Sequence, residues 1–127
     1  MTETEITMLI HSFLFNTGCR FTGKGCRHIS EYIRYSIHEN RDITINEYKD
    51  MRRDIAKRDM QLVTNVESLC RAVIKTAYAK MQNMDKDFMY TTYHIDITKG
   101  CPTVIDYVNL ASRYLRNVIE EKNNTCN

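Results

Sequence analysis

From Val66 to Met81 the apolar residues Val66, Leu69, Cys70, Val73, Ile74, Ala77 and Met81 recur at intervals of three and four. That is the period at which side chains share one face of an α-helix, so this segment must find a partner to cover the stripe. Its opposite side carries Ser68, Arg71, Ala72 and Lys75, which are small or basic and include no acid. Thr64 stands before the stripe and Glu67 follows three residues later. This is the form of a capping box, in which hydroxyl and carboxylate satisfy free amides of the first turn. The longer run Arg52 to Met81, RRDIAKRDMQLVTNVESLCRAVIKTAYAKM, reads as a short helix, a turn and a longer helix.

A helix with a free basic face fits a DNA major groove, whose width admits one α-helix. The pair therefore suggests a helix-turn-helix. With Ala56 as the small residue at the helix crossing, Ile55, Val66 and Leu69 fall where that motif buries apolar side chains. Asp59 departs from the pattern, because a buried apolar residue is usual there. Met60 departs too: the turn usually wants Gly or Asn, and a left-handed backbone at Met60 is costly. A differently shaped turn is the expectation. The same pattern also describes two packed core helices with a solvated basic face.

The block DIAKR at Asp54 to Arg58, followed by NVESLCRAVIKTAY at Asn65 to Tyr78, resembles the effector domain of the sporulation master response regulator of endospore-forming Firmicutes. That family shows a DIAKK run and an RVERAIRHAIEVAW-like recognition helix at the same separation. ITMLIH at Ile6 to His11 resembles its first helix, and the Gly18 and Lys24–Gly25 region its IG…KGY loop. CPTVIDYVNLASRYLR at Cys101 to Arg116 resembles its last helix after a KPT-like turn. The likeness runs from about Glu5 to Val118.

The resemblance implies a compact all-α bundle of about six helices, free of a winged helix, whose fourth helix enters the major groove. It also implies short repeated DNA sites, often read by head-to-tail pairs. Glu67 and Arg71 keep the family's acid and one of its arginines, whereas Asn65 and Ser68 replace two others. The family's phosphorylatable receiver domain has no counterpart, and with nothing before Met1 the expectation is a stand-alone effector that phosphorylation does not control in the family's manner.

At 127 residues the chain suits a single domain, residues 1–127, with one core over about 5–118. Hydrophobic and charged fractions of 43% and 27% are ordinary for a folded protein. No apolar run approaches the roughly 18 residues of a membrane span. MTETEITMLI is acidic before its apolar part, the wrong order for a signal peptide, so the expected location is cytoplasmic. Five cysteines, Cys19, Cys26, Cys70, Cys101 and Cys126, are odd in number and irregular in spacing, and reduced thiols are expected. Cys19, Cys26 and His28 do not match a zinc spacing. No metal or cofactor is expected.

Net charge is only +2, but it is unevenly spread. Between Lys49 and Lys80 eight bases face four acids, leaving +4 there and −2 over the remainder. Positive charge thus gathers on the proposed reading unit, as phosphate contact requires.

Along the chain, Thr2 and Glu5 cap a first helix burying Ile6, Leu9, Ile10, Phe13 and Leu14. Asn16 to Gly25 holds Gly18, Gly23 and Gly25 with Arg20 and Lys24. This stretch is read either as a DNA-backbone contact through Lys24 or Arg27 or as a plain interhelical turn. A second helix from about Gly25 to Glu39 buries Ile29, Tyr32, Ile33 and Ile37. Ile43 to Ile45 forms a connector, and Asn46 is the expected N-cap of the next helix. Gln82 to Cys101 suggests a short helix and extended loop, with Phe88, Met89, Tyr90, Tyr93, Ile95 and Ile97 on the core. The last helix buries Val104, Val108, Ala111, Leu115 and Val118 and exposes Arg113 and Arg116, ahead of a frayed tail, KNNTCN.

No nucleophile–base pair, carboxylate pair or metal cluster stands out, and His11, His28, His38 and His94 lack partner motifs, so no enzyme is expected. The expected partner is double-stranded DNA. Arg71 is assigned to guanine, Asn65 to adenine or a phosphate, Ser68 to close approach, and Glu67 to cytosine or to orienting Arg71. Lys24, Lys57, Arg58 and Lys75 are assigned to phosphates. The rival expectation is an interaction module that pairs with or antagonises a full-length regulator and has no specific DNA site of its own; a homodimer or tandem pair on DNA belongs to the first expectation.

Overall fold

The computed structural model describes residues 1–20 and 23–125; Cys126, one of the expected reduced thiols, lies outside the described residues. Six helices follow in order: α1 (Glu3–Asn16), α2 (Lys24–Glu39), α3 (Ile45–Arg58), α4 (Val63–Met81), α5 (Lys86–Tyr93) and α6 (Val104–Thr125). A single 3₁₀ turn, Ile97–Lys99, separates α5 from α6, and no strand occurs among the described residues. The fold is a compact all-α bundle, and α2 packs against α4 on one side and α6 on the other.

The first helix begins as its sequence predicts. Thr2 Oγ1 accepts from the Glu5 amide at 3.1 Å and donates to Glu5 Oε1 at 3.2 Å. Its buried face is Ile6, Ile10, Phe13 and Leu14. On α2, Ile29, Tyr32 and Ile33 are fully covered. Where α2 meets α6 the contact residues are small: the hydroxyls of Ser36 and Ser112 lie 2.5 Å apart, both buried. The connector after α2 is clamped to α6, since Asn109 accepts from the Ile43 amide at 2.9 Å and donates to its carbonyl at 3.2 Å. Beside the clamp, Asp42 takes both Arg113 and Arg116. Arg116 is therefore half-buried in an ion pair, whereas the sequence predicts it exposed.

Three other expectations change. The N-cap of α3 is Thr44, not Asn46: Thr44 Oγ1 accepts from the Glu47 amide while the Glu47 carboxylate accepts from the Thr44 amide. In the 82–101 region Met89, Tyr93, Ile95 and Ile97 are buried as expected, but Phe88 and Tyr90 stay exposed on the outer side of α5. The tail is helical as far as Thr125, so its described part extends α6 as an exposed turn instead of fraying.

The turn between α3 and α4 holds the two residues that break the motif pattern. Met60 adopts φ +55°, so the left-handed backbone forms here despite the side chain. It is tolerated because the side chain is 94% exposed and meets no neighbour that would add to the backbone cost. Asp59, half-buried, does not enter the apolar core. It pairs with Arg58 at 2.9 Å and approaches His28 of α2, whose Nε2 is 3.8 Å away. His28 is fully buried, and neither ring nitrogen has a hydrogen-bond partner among the described residues. Burial pushes its imidazole below the ordinary 6.5, against the opposing pull of Glu31 and Asp59.

Two predictions follow from this turn. Met60→Gly removes a left-handed side chain that buries nothing, and should raise stability by up to about 1 kcal/mol in urea unfolding; a loss would mean that the positive φ is not populated. For His28, the unfolded chain takes up its proton before the folded one as pH falls. Its contribution is complete above about 6.5 and is lost as pH drops through the lower folded value. The urea midpoint should therefore fall from pH 7.5 to 5.5, and should fall distinctly less in His28→Leu.

Candidate nucleic-acid interface

The helix α4 is seated by glycines on its inner side. A Cβ at Gly25 would lie 2.5 Å from the Leu69 carbonyl oxygen and 2.8 Å from a Val73 methyl. At Gly18, φ +94°, a Cβ would lie 2.9 Å from the Ala77 carbonyl oxygen. The glycines of the loop between α1 and α2 thus serve close approach to α4, and this favours the interhelical-turn reading of that loop over a phosphate cradle. Val66, Cys70, Ile74, Ala77 and Met81 fill the rest of the buried face. Leu69 and Val73 are half-buried beside α2.

On the outer side Asn65, Ser68, Arg71, Ala72 and Lys75 are all exposed, Arg71 to 66%. From Asn65 to Lys75 the helix rises about 15 Å, roughly four base-pair steps. Lys75 and Lys57 are exposed and have no carboxylate within ion-pair distance among the described residues. Lys24 is exposed at the start of α2, next to Gly25 and hence beside the middle of α4. Arg58 differs from the other phosphate candidates. Its guanidinium is held by Glu31 at 3.0 Å and Asp59 at 2.9 Å, so its charge is matched within the protein.

Glu67 also departs from its expected place. The helix begins at Val63 with Leu62 as N-cap and no side-chain cap, so the Thr64–Glu67 capping box does not form. Glu67 reaches instead across to α3, accepting from the Tyr48 hydroxyl at 2.5 Å and Arg52 Nη1 at 2.9 Å. Arg71 Nε lies 3.3 Å from its other oxygen. Burial alone would push this carboxyl up, but the Tyr48 and Arg52 donors hold it below the usual range. The arrangement suits the role of orienting Arg71 and leaves little of Glu67 for a cytosine.

Sequence reasoning passed over Arg52 and Lys49 of α3. Both line a cleft of about 540 Å³ with Arg71 and Lys75, to which the 101–105 corner also contributes. The signal was present in the spacing: Tyr48 and Arg52 share one helical face four residues apart, and their polar ends need a partner on α4. Arg20, beside Ala72 and Thr76, is a further base at the opposite flank. Among the described residues no His, Cys, Asp and Glu cluster could hold a metal ion, and the four described cysteines are not joined in disulfides.

Comparison with protein-family models, curated proteins and solved structures finds no match.

If the glycine contact sets the position of α4, Gly25→Ala must push two main chains apart. It should destabilise by about 1–3 kcal/mol, the range of an overpacked interior. Thermal and urea unfolding check this, and an unchanged midpoint would show that α2 and α4 do not touch there.

Proposed function

We propose that this chain is a sequence-specific DNA-binding transcriptional regulator, similar to the effector domain of the sporulation master regulator, that reads the major groove with α4. One observation carries the reading. The face of α4 with Asn65, Ser68, Arg71 and Lys75 is exposed, and the one acid beside it, Glu67, is half-buried against α3, while main-chain contacts at Gly18 and Gly25 brace the opposite face. A reading helix needs both properties, because base contacts require a side chain held at a fixed position.

In this reading Arg71, steadied by Glu67, makes a bidentate contact to guanine, and Asn65 addresses adenine or a phosphate. Ser68 permits close approach. Lys75, Lys57 and Lys24 neutralise phosphates, with Arg58 contributing less because Glu31 and Asp59 already match its charge. Cytoplasmic residence and tandem or dimeric binding on repeated sites belong to the same proposal. No helix among the described residues is long and apolar enough to cross a membrane.

A second reading has its own support. Met60 and Leu62, 94% and 69% exposed, place two apolar side chains at the tip of the turn. A protein partner, such as a full-length regulator, would cover them, whereas a phosphate backbone would not.

Selection of bound duplexes from a random pool supplies a site, and anisotropy titrations on that site and a scrambled duplex then test the residues. Arg71→Ala should lose about 1–3 kcal/mol on the selected site and little on the scrambled one. Lys75→Ala should weaken both alike and lower the salt slope by about 1. Equal behaviour of the two variants would overturn the assignments. Absence of duplex binding even at low salt would favour the interaction module.

A further inference from the structure

The cleft beside the exposed face of α4 has a chemical character that DNA does not use. Its volume of about 540 Å³ falls among those of pockets that hold small organic molecules. Its walls are apolar: Ile74 and Val104 come from the core, Ile105 is half-buried, and Ile45 lines it while 51% exposed. Folding leaves this isoleucine in the first turn of α3 without full cover. Around the hydrocarbon stand Lys49, Arg52, Arg71 and Lys75, and among the described residues the only carboxylate in the lining is Glu67, shared by Tyr48, Arg52 and Arg71, so Lys49 and Lys75 keep their charge unmatched there. The Nε of Arg52 is buried and has no acceptor among the described residues. That nitrogen itself is closed to solvent, and the guanidinium can meet a ligand only through the 22% of the side chain that stays exposed.

These features narrow the occupant. A phosphodiester would meet the cations and leave the isoleucines wet. A neutral hydrocarbon would cover the isoleucines and leave the cations facing an apolar surface. A molecule with both parts satisfies both.

We propose that this cleft binds a small amphipathic anion, a carboxylate on a short aliphatic chain. Arg52 and Lys49 take its head, and Ile45, Ile74 and Ile105 cover its chain. Because Arg71 and Lys75 line the same cleft, an occupant draws them away from a duplex and lowers DNA affinity. That consequence rests on the DNA-binding reading; binding of the anion does not.

Calorimetric titration of the full chain with octanoate tests the site, with acetate as the head alone and octan-1-ol as the tail alone. Saturable one-site binding is expected, at least tenfold tighter for octanoate than for either part. Ile105→Glu, which sets a charge on the apolar wall, should weaken octanoate at least tenfold. Lys49→Glu changes only the exposed rim and should do the same in a protein whose circular dichroism is unaltered, so a folding defect in the first variant leaves the test intact. Heat that does not saturate, or octanoate binding unchanged in Lys49→Glu, overturns the site. A labelled duplex then reports the consequence: its apparent Kd should rise with octanoate and not with acetate at equal ionic strength. A bound duplex that saturating octanoate does not loosen overturns the competition. A duplex that never binds refutes the DNA reading alone, and the calorimetry still decides the site.

Discussion

Gly25 meets the main chain of α4 at Leu69 with no room for a side chain between them. At such a contact two helices cannot slide or roll without a backbone clash, because interiors are packed nearly as densely as organic crystals. Gly18 repeats the arrangement two turns further along, at Ala77. The two contacts fix both the distance and the rotation of α4 and so decide which residues look outward. Arg71 and Lys75 are exposed because the opposite face is committed to α2 and the loop before it.

The second constraint is a single carboxylate shared by two helices. Glu67 could have folded back to cap its own helix, and it turns to Tyr48 and Arg52 instead. The reason lies in what each alternative leaves unsatisfied. The first turn of α4 is exposed, and its free amides can be met by water. The Tyr48 ring is buried against Tyr32, with ring centres 5.1 Å apart, and its hydroxyl has no such recourse. A half-buried carboxylate between two donors answers that need and aligns Arg71 as well.

How much of this could be read beforehand depends on the range of each interaction. The stripe on α4, the cap at Thr2 and the exposed side with Ser68, Arg71 and Lys75 are local periodicities, and they appear where the spacing puts them. Three Thr-x-x-Glu signals occur, at Thr2, Thr44 and Thr64, with the same local form. Thr2 and Thr44 each cap their helix by accepting from the amide three residues on, whereas Glu67 is drawn across to the buried Tyr48 and its helix starts at Leu62 without a side-chain cap. Likewise the glycines between α1 and α2 suggest either a phosphate loop or a turn, and a backbone contact 44 residues away in sequence, Gly25 to Leu69, tips the balance to the turn. Arg116 looks free on its own helix and is held by Asp42, 74 positions earlier. Met60 shows the converse: its local preference predicts a differently shaped turn, and the chain adopts the disfavoured left-handed backbone instead, because the helices on either side require it.

The Asn109 clamp on Ile43 joins the connector before α3 to the final helix, across 66 residues of sequence. During synthesis α3 and α4 leave the ribosome well before that brace exists, since a chain emerges from its N-terminus onward. Their entry connector gains its anchor only when α6 arrives. The entry to the middle of this protein is therefore fastened from its end, and that fastening is missing from any chain that stops short of Asn109.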